Sequence, residues 1–148
     1  MDRRRFLQHC GAGCAWALAL PLVVGAEGCA SLTMVHAVCD PEGTVRIPRS
    51  LLPLQGNAIV RVKTLRDDLY LVREAGDGWH ALLMRCTHQD QPLVVAGNGL
   101  ACNSHGSRFD PEGNVTHPPA MERLQRYEVI QAEEGIRIEL RRLDPRAR

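Results

Sequence analysis

From Thr44 onward the apolar positions recur at periods too short for helices. Thr44-Val45-Arg46-Ile47-Pro48 alternates polar and apolar, and Ala58-Ile59-Val60-Arg61-Val62 is rich in β-branched residues. Asp68-Leu69-Tyr70-Leu71-Val72 and the apolar run Trp79–Arg85 read as two further strands. Between them, Glu74-Ala75-Gly76-Asp77-Gly78 is dense in turn formers. Tyr127–Ile130 and Ile136–Leu140 flank Glu133-Glu134-Gly135, which predicts a hairpin with period-two alternation in its second strand. No segment of this region carries a 3.6-residue apolar stripe long enough for a substantial helix. Short strands at close spacing predict an all-β fold, an antiparallel β-sandwich or small barrel.

The pattern breaks between about residues 85 and 120. There the chain is rich in Gly, Pro, His, Asn and Asp and holds two of the six cysteines. It reads as loops held by something other than a hydrophobic core, an inserted metal-binding subdomain. The expected organisation is a domain over residues 44–142, preceded by a linker at 29–43 and followed by a solvated tail at 143–148.

Residues 1–28 read as an export signal or N-terminal anchor. Asp2-Arg3-Arg4-Arg5-Phe6-Leu7 precedes an apolar run from Gly11 to Ala26. The Arg-Arg-x-Phe-Leu segment resembles the twin-arginine export signal, departing from it at Asp2. Three endings are open. Val24-Gly25-Ala26 offers a small-residue cleavage site, and Gly28-Cys29-Ala30-Ser31 a lipoprotein junction with Cys29 acylated. An uncleaved anchor would be short, since spanning takes about 20 apolar residues, and Pro21 interrupts it. Cys10 and Cys14 would leave with a cleaved signal. Cleavage after Ala26 would leave Cys29 and Cys39 to pair in an oxidising compartment. The expected location is the periplasm or the outer face of the cytoplasmic membrane.

Composition narrows the function. The 148 residues suffice for one ordinary domain, and 45% of them are apolar, enough for a packed core. Eighteen Lys and Arg meet seventeen Asp and Glu, and removing residues 1–28 leaves no net formal charge. Nothing in that balance calls for nucleic acid.

The chemistry lies in Cys86-Thr87-His88 and Cys102-Asn103-Ser104-His105, with thirteen residues between. Each half offers one thiolate and one imidazole within a single turn. Two sulfur and two nitrogen donors could hold one zinc ion. Mixed Cys–His pairs with one and two intervening residues suit a binuclear centre better, one metal taking both thiolates and the other both imidazoles. Both pairs, together with His105-Gly106-Ser107-Arg108-Phe109-Asp110, Gly113, Val115 and Pro119-Ala120, resemble the Rieske iron–sulfur family.

That resemblance implies one 2Fe-2S cluster per chain, with Cys86 and Cys102 on the inner iron and His88 and His105 on the outer, more exposed one. Neutral imidazoles leave the centre less negative than four thiolates would, which raises its potential. The outer imidazoles can also couple electron uptake to proton uptake. In high-potential members each ligand loop carries a further Cys and the two form a disulfide; the matching positions here are Gln91 and Ser104. Such members also donate hydrogen bonds to the sulfurs from a Ser and a Tyr. Ser107 keeps the first, but Phe109 stands at the Tyr position. An intermediate potential is therefore expected. Pro118-Pro119-Ala120 reads either as the family's proline loop that shields the cluster, through Pro119, or as a plain turn.

The function implied is an exported carrier of single electrons between redox partner proteins, with membrane attachment through the N-terminal segment or a lipidated Cys29. No complete catalytic site is expected. The rival readings are an electron-transfer subunit of a larger exported oxidoreductase, quinol-oxidising or arsenite-oxidase-like, and a zinc-stabilised structural module.

Overall fold

The computed structural model describes residues 32–140. The predicted export segment, Cys29 and the tail from residue 143 lie outside them. Among the described residues, eleven strands form two sheets. The larger sheet contains β1 (Thr33–Ala37), β2 (Thr44–Pro48), β3 (Ala58–Val62), β4 (Leu69–Arg73), β5 (Trp79–Leu83), β10 (Arg126–Ala132) and β11 (Gly135–Glu139). Their order is β1-β3-β4-β5-β10-β11-β2, and a bridge between Cys39 and Val45 brings the two edges together into a nearly closed barrel.

The strands expected from alternation are present within one or two residues of their predicted bounds. The hairpin is also found, with Ala132 paired to Gly135 across Glu133 and Glu134. Two features differ from expectation. Part of the segment expected to be a linker is β1, and it pairs with β3 in parallel, Thr33 beside Ala58 and Ala37 beside Val62. The parallel pairing follows from barrel closure: β1 sits between β2 and β3, and both run opposite to β2.

The barrel has two ends. The pairings place the start of β1 and the connections 49–57, 74–78 and 133–134 at one, which we call the turn end. The connections 38–43 and 63–68 and the whole insertion between β5 and β10 leave from the other.

That insertion is not loops alone. It contains a four-stranded sheet, β6 (Val94–Ala96), β7 (Gly99–Ala101), β8 (Arg108–Phe109) and β9 (Val115–His117), and has its own apolar core. The expectation of a segment held without a hydrophobic core is corrected here. Strands of two or three residues are too short to show a period of two.

The second core also explains the unbroken burial of β4 from Leu69 to Val72. Leu69, Leu71, Trp79 and Ala81 face the barrel interior with Val35, Val45, Ile47, Val60 and Ile138. Tyr70, Val72 and Leu82 face outward and pack under the insertion against Met84, Cys86, Leu100, Cys102, Phe109 and Leu124. Both faces of the β4–β5 ribbon are covered, so neither face stays polar.

Two polar bridges fasten the insertion to this ribbon. The Tyr70 hydroxyl donates to the Asn98 carbonyl at 3.2 Å and accepts from Asn57 Nδ2 at 2.8 Å. Buried His80 sets Nε2 2.8 Å from the Pro111 carbonyl oxygen and Nδ1 2.8 Å from a Glu74 carboxylate oxygen that Arg126 also contacts. These bonds satisfy polar groups that would be costly to bury alone.

Candidate metal centre

The two Cys–His segments form a matched pair of loops. In the first, the Cys86 amide donates to the Gln91 carbonyl (2.8 Å) and the Asp90 amide donates to the Cys86 carbonyl (2.9 Å). In the second, the Cys102 amide donates to the Ser107 carbonyl (2.8 Å) and the Gly106 amide to the Cys102 carbonyl (2.9 Å). Each loop therefore closes on the fifth residue after its cysteine, with an i→i+4 turn inside. The fourth residue has positive φ in both, +51° at Asp90 and +83° at Gly106. Glycine adopts that conformation without cost, and Asp is among the few other residues that tolerate it.

The pairing sorts the donors. Cys86 and Cys102 lie at 0% and 2% exposure in the second core, with Leu93, Leu100, Phe109 and Leu124 around them. His105 is exposed and His88 half-buried. Their rings meet edge-to-face with centroids 4.9 Å apart. Two thiols thus point inward together, and two imidazoles stand together toward the surface.

Burial pushes the Cys102 thiol up. The backbone amides of His105 and Ser104, the Cys86 thiol and the Ser104 hydroxyl, all bonding to its sulfur, outweigh that and hold Cys102 below the ordinary thiol range. Cys39, Cys86 and Cys102 are all free thiols.

The donor set fits a bound metal group. Nδ1 of His88 is buried and has no hydrogen-bond partner, a cost that a bond to metal would remove. Two paired donors on each side fit a binuclear centre, which needs two protein ligands per metal.

A third segment locks both loops. Thr87 Oγ1 donates to the Glu122 carbonyl at 2.6 Å, and the Ala120 amide donates to Ser107 Oγ at 3.0 Å. The run through Pro119 is therefore tied to each ligand loop by one bond. Ser107 is fully buried, and its Oγ serves there as acceptor, leaving its own proton available to donate. Phe109 is buried beside the cysteines. Asp110 is a turn residue: its carboxylate accepts from the Asn114 amide (2.7 Å) and side chain (3.0 Å).

Sequence reasoning reached the four candidate ligands, Ser107, Phe109 and Pro119, all of which lie here. It missed the loop-closing role of Asp90 and the Thr87 clamp. Asp90 had a signal in the spacing, since it follows Cys86 by four residues as Gly106 follows Cys102. Thr87 had none, because its partner is a backbone carbonyl 35 residues away.

The family model for the Rieske [2Fe-2S] domain matches residues 48–128. The chain is 37% identical over 75 residues to 4beta-methylsterol monooxygenase of Methylococcus capsulatus, covering 49% of this chain and 20% of that protein. It is 35% identical over 66 residues to the oxygenase component of chloroacetanilide N-alkylformylase of Rhizorhabdus wittichii, covering 43% and 19%. The chain thus spans about a fifth of the length of these curated relatives. Among solved structures, the cyanobacterial plasma membrane Rieske protein of Synechocystis PCC 6803 superposes with a TM-score of 0.51 at 20% identity, over 62% of this chain and 93% of that one. A chain from the complex of oxygenase and ferredoxin in carbazole 1,9a-dioxygenase gives 0.50 at 20% identity, over 66% and 94%. At these identities the structural likeness speaks for the fold.

Proposed function

Since this chain belongs to the Rieske [2Fe-2S] domain family, an electron-transfer family that binds one 2Fe-2S cluster, we propose that Cys86, Cys102, His88 and His105 are the cluster's ligands and that the protein passes single electrons between redox partner proteins. The observation that carries the assignment is the pair of equivalent loops presenting two buried thiols inward and two imidazoles outward. When bound, the cluster supplies one-electron redox chemistry. The chain supplies the rest. Leu93, Leu100, Phe109 and Leu124 keep water from the sulfur side, and the Thr87 and Ser107 bonds hold the two loops in register. His105 offers the exposed edge at which a partner can approach and a proton exchange with solvent. A visible spectrum with electron paramagnetic resonance of the reduced protein tests the reading. A colourless protein containing zinc would overturn it.

Two residues beside the sulfurs set the potential. Ser107→Ala should lower it by removing a buried hydroxyl proton that would be free to donate to a sulfur of the bound centre, and Phe109→Tyr should raise it by adding such a donor. If the bond differs between redox states by about 1–2 kcal/mol, the one-electron couple moves by roughly 40–90 mV. Ser107→Ala should also cost about 1–3 kcal/mol of stability, because it leaves the Ala120 amide buried without its acceptor. Redox titration checks both shifts; a change within about 15 mV for each would remove Ser107 and Phe109 from the tuning set.

We further propose that residues 1–28 direct export, and that the N-terminal segment or a lipidated Cys29 keeps the chain at the outer face of the cytoplasmic membrane. The supporting sequence is Arg3-Arg4-Arg5-Phe6-Leu7 before the apolar run Gly11–Ala26. Arg3→Lys combined with Arg4→Lys should strand the protein in the cytoplasm, as read by cell fractionation. Undiminished export of that double variant would show that a twin-arginine route is not used.

A further inference from the structure

We propose that the turn end of the barrel, opposite to where the insertion leaves it, is a lipid-facing surface. The exposed leucines of the 49–57 connection rest on the membrane there, and the metal loops point into the aqueous phase. The proposal rests on the membrane-attachment reading above.

The connection between β2 and β3 reads Leu51-Leu52-Pro53-Leu54, an apolar stretch where a solvent turn would ordinarily be polar. Leu54 is 96% exposed and Leu51 49%. Neither has collapsed onto the barrel, because the loop is pinned through its backbone. The Arg49 amide donates to the Glu134 carbonyl (2.8 Å), the Leu52 amide to the Arg49 carbonyl (3.2 Å), and Arg73 Nη2 to the Pro53 carbonyl (2.8 Å). The leucines are held outward by a fixed frame, which lowers the ordering cost of burying them against something else.

The chain itself names the occupant. The parallel register sets Thr33 beside Ala58, so the backbone arrives in β1 at this same end, carrying exposed Leu32 and Met34. In the sequence only residues 27–32 separate the apolar run from β1, a reach of no more than about 25 Å. Cys29 lies closer still. A membrane that holds either one meets the turn end of the barrel first. The charged groups at this end are Arg49, the Glu133-Glu134 turn, the Arg73–Asp77 pair and Glu74, whose partner Arg126 extends from the opposite end of β10. They carry no basic excess, so the surface suits zwitterionic lipid and not an anionic headgroup cluster.

The ligand loops lie the other way. β7 runs from the Gly97-Asn98 turn, which reaches back to Tyr70 and Asn57, to Cys102 at its far end. Met121, 90% exposed beside the loops, faces water there, as do the smaller Val38 in the 38–43 connection and Val94 in the insertion. An electron partner would therefore approach from the aqueous side and not from within the bilayer.

The test uses the full chain with its cluster, purified from membranes of the expressing cells and reconstituted into phosphatidylcholine vesicles. Tryptophan is placed at one position at a time, Leu54→Trp or Met121→Trp, in a Trp16→Phe background, and quenching is read on the emission added over that background, which keeps buried Trp79. Flotation after carbonate washing reads attachment. Tryptophan emission in vesicles of brominated against ordinary phosphatidylcholine reads contact with lipid. The expected result is that the chain floats, that Leu54→Trp is quenched at least twofold, and that Met121→Trp is unchanged. A floating chain with Leu54→Trp unquenched, or with Met121→Trp quenched as strongly, overturns the orientation and leaves attachment standing. A chain that does not float overturns attachment and the proposal with it. Shielding of Leu54→Trp by self-association, detected by sedimentation in vesicles' absence, would assign the surface to a second copy and also overturn the proposal.

Discussion

Cys102→Ser is expected to abolish the visible absorption of the protein and reduce its bound iron to background. Cys86 and Cys102 sit against each other in a dry core, and the apolar neighbours Leu93, Leu100, Phe109 and Leu124 offer no replacement donor. A serine hydroxyl at that position stays protonated in so apolar a setting and is a harder, weaker ligand than thiolate for iron in a sulfide-bridged centre. The donors from His105, Ser104 and Cys86 that favour the Cys102 thiolate would have no anion to stabilise. Cys86→Ser should behave the same way. Cys39→Ser is the internal control: Cys39 is half-buried beside the barrel core, its thiol donating to the Asp40 carbonyl, and is no part of the ligand loops. It should keep the full spectrum. Iron analysis together with the absorption spectrum decides the matter, and a normal spectrum from Cys102→Ser would falsify the ligand assignment.

Gly99→Ala should destabilise the metal-binding insertion more than Gly→Ala at any other glycine within it. Gly99 pairs with Ala96 at the start of β7, and a Cβ there would lie well inside contact distance of the Phe109 backbone carbonyl oxygen. That oxygen belongs to β8, which follows directly on the second ligand loop. Backbone cannot rotate aside as a side chain can, so β7 and β8 must separate. Overpacking of this kind costs about 3 kcal/mol, which for a domain of this size lowers Tm by roughly 10–20 °C. Cluster loading should fall with it, because Ser107 and Cys102 move with β8. Gly97→Ala two residues away tests the mechanism. Gly97 has φ +63° but open space around it, so only the left-handed strain of about 1–2 kcal/mol applies. Equal losses from the two variants, measured by thermal denaturation, would show that close strand approach is not the cause.

The barrel strands were legible because each satisfies one local condition. Thr44–Pro48 and Ile136–Leu140 bury one face and solvate the other, and a period of two records that directly. The four candidate ligands were legible for a different reason. A bound centre constrains residue type and spacing within each loop, and those constraints act over three or four residues. What alternation could not show was β6 to β9, whose strands are too short to carry a pattern, and the doubly covered ribbon of β4 and β5. In that ribbon the run Leu69-Tyr70-Leu71-Val72 is apolar throughout because two different cores use alternate residues.

The sequence by itself determined the strand-rich class, the inserted subdomain and the two donor pairs, because each is written in residues near one another along the chain. The resemblance implied that the thiols face inward, but only the tertiary structure supplies the reason. Cys86 and Cys102 are buried, and His105 exposed, because the outer face of β4 and β5 supplies Tyr70, Val72 and Leu82 as a floor beneath the thiols. It also decided that Thr87 and Ser107 are clamps, since their partners Glu122 and Ala120 lie 35 and 13 residues away. It placed Thr33 beside Ala58, which no local pattern encodes, because a parallel register is set by closing the barrel and not by either strand alone.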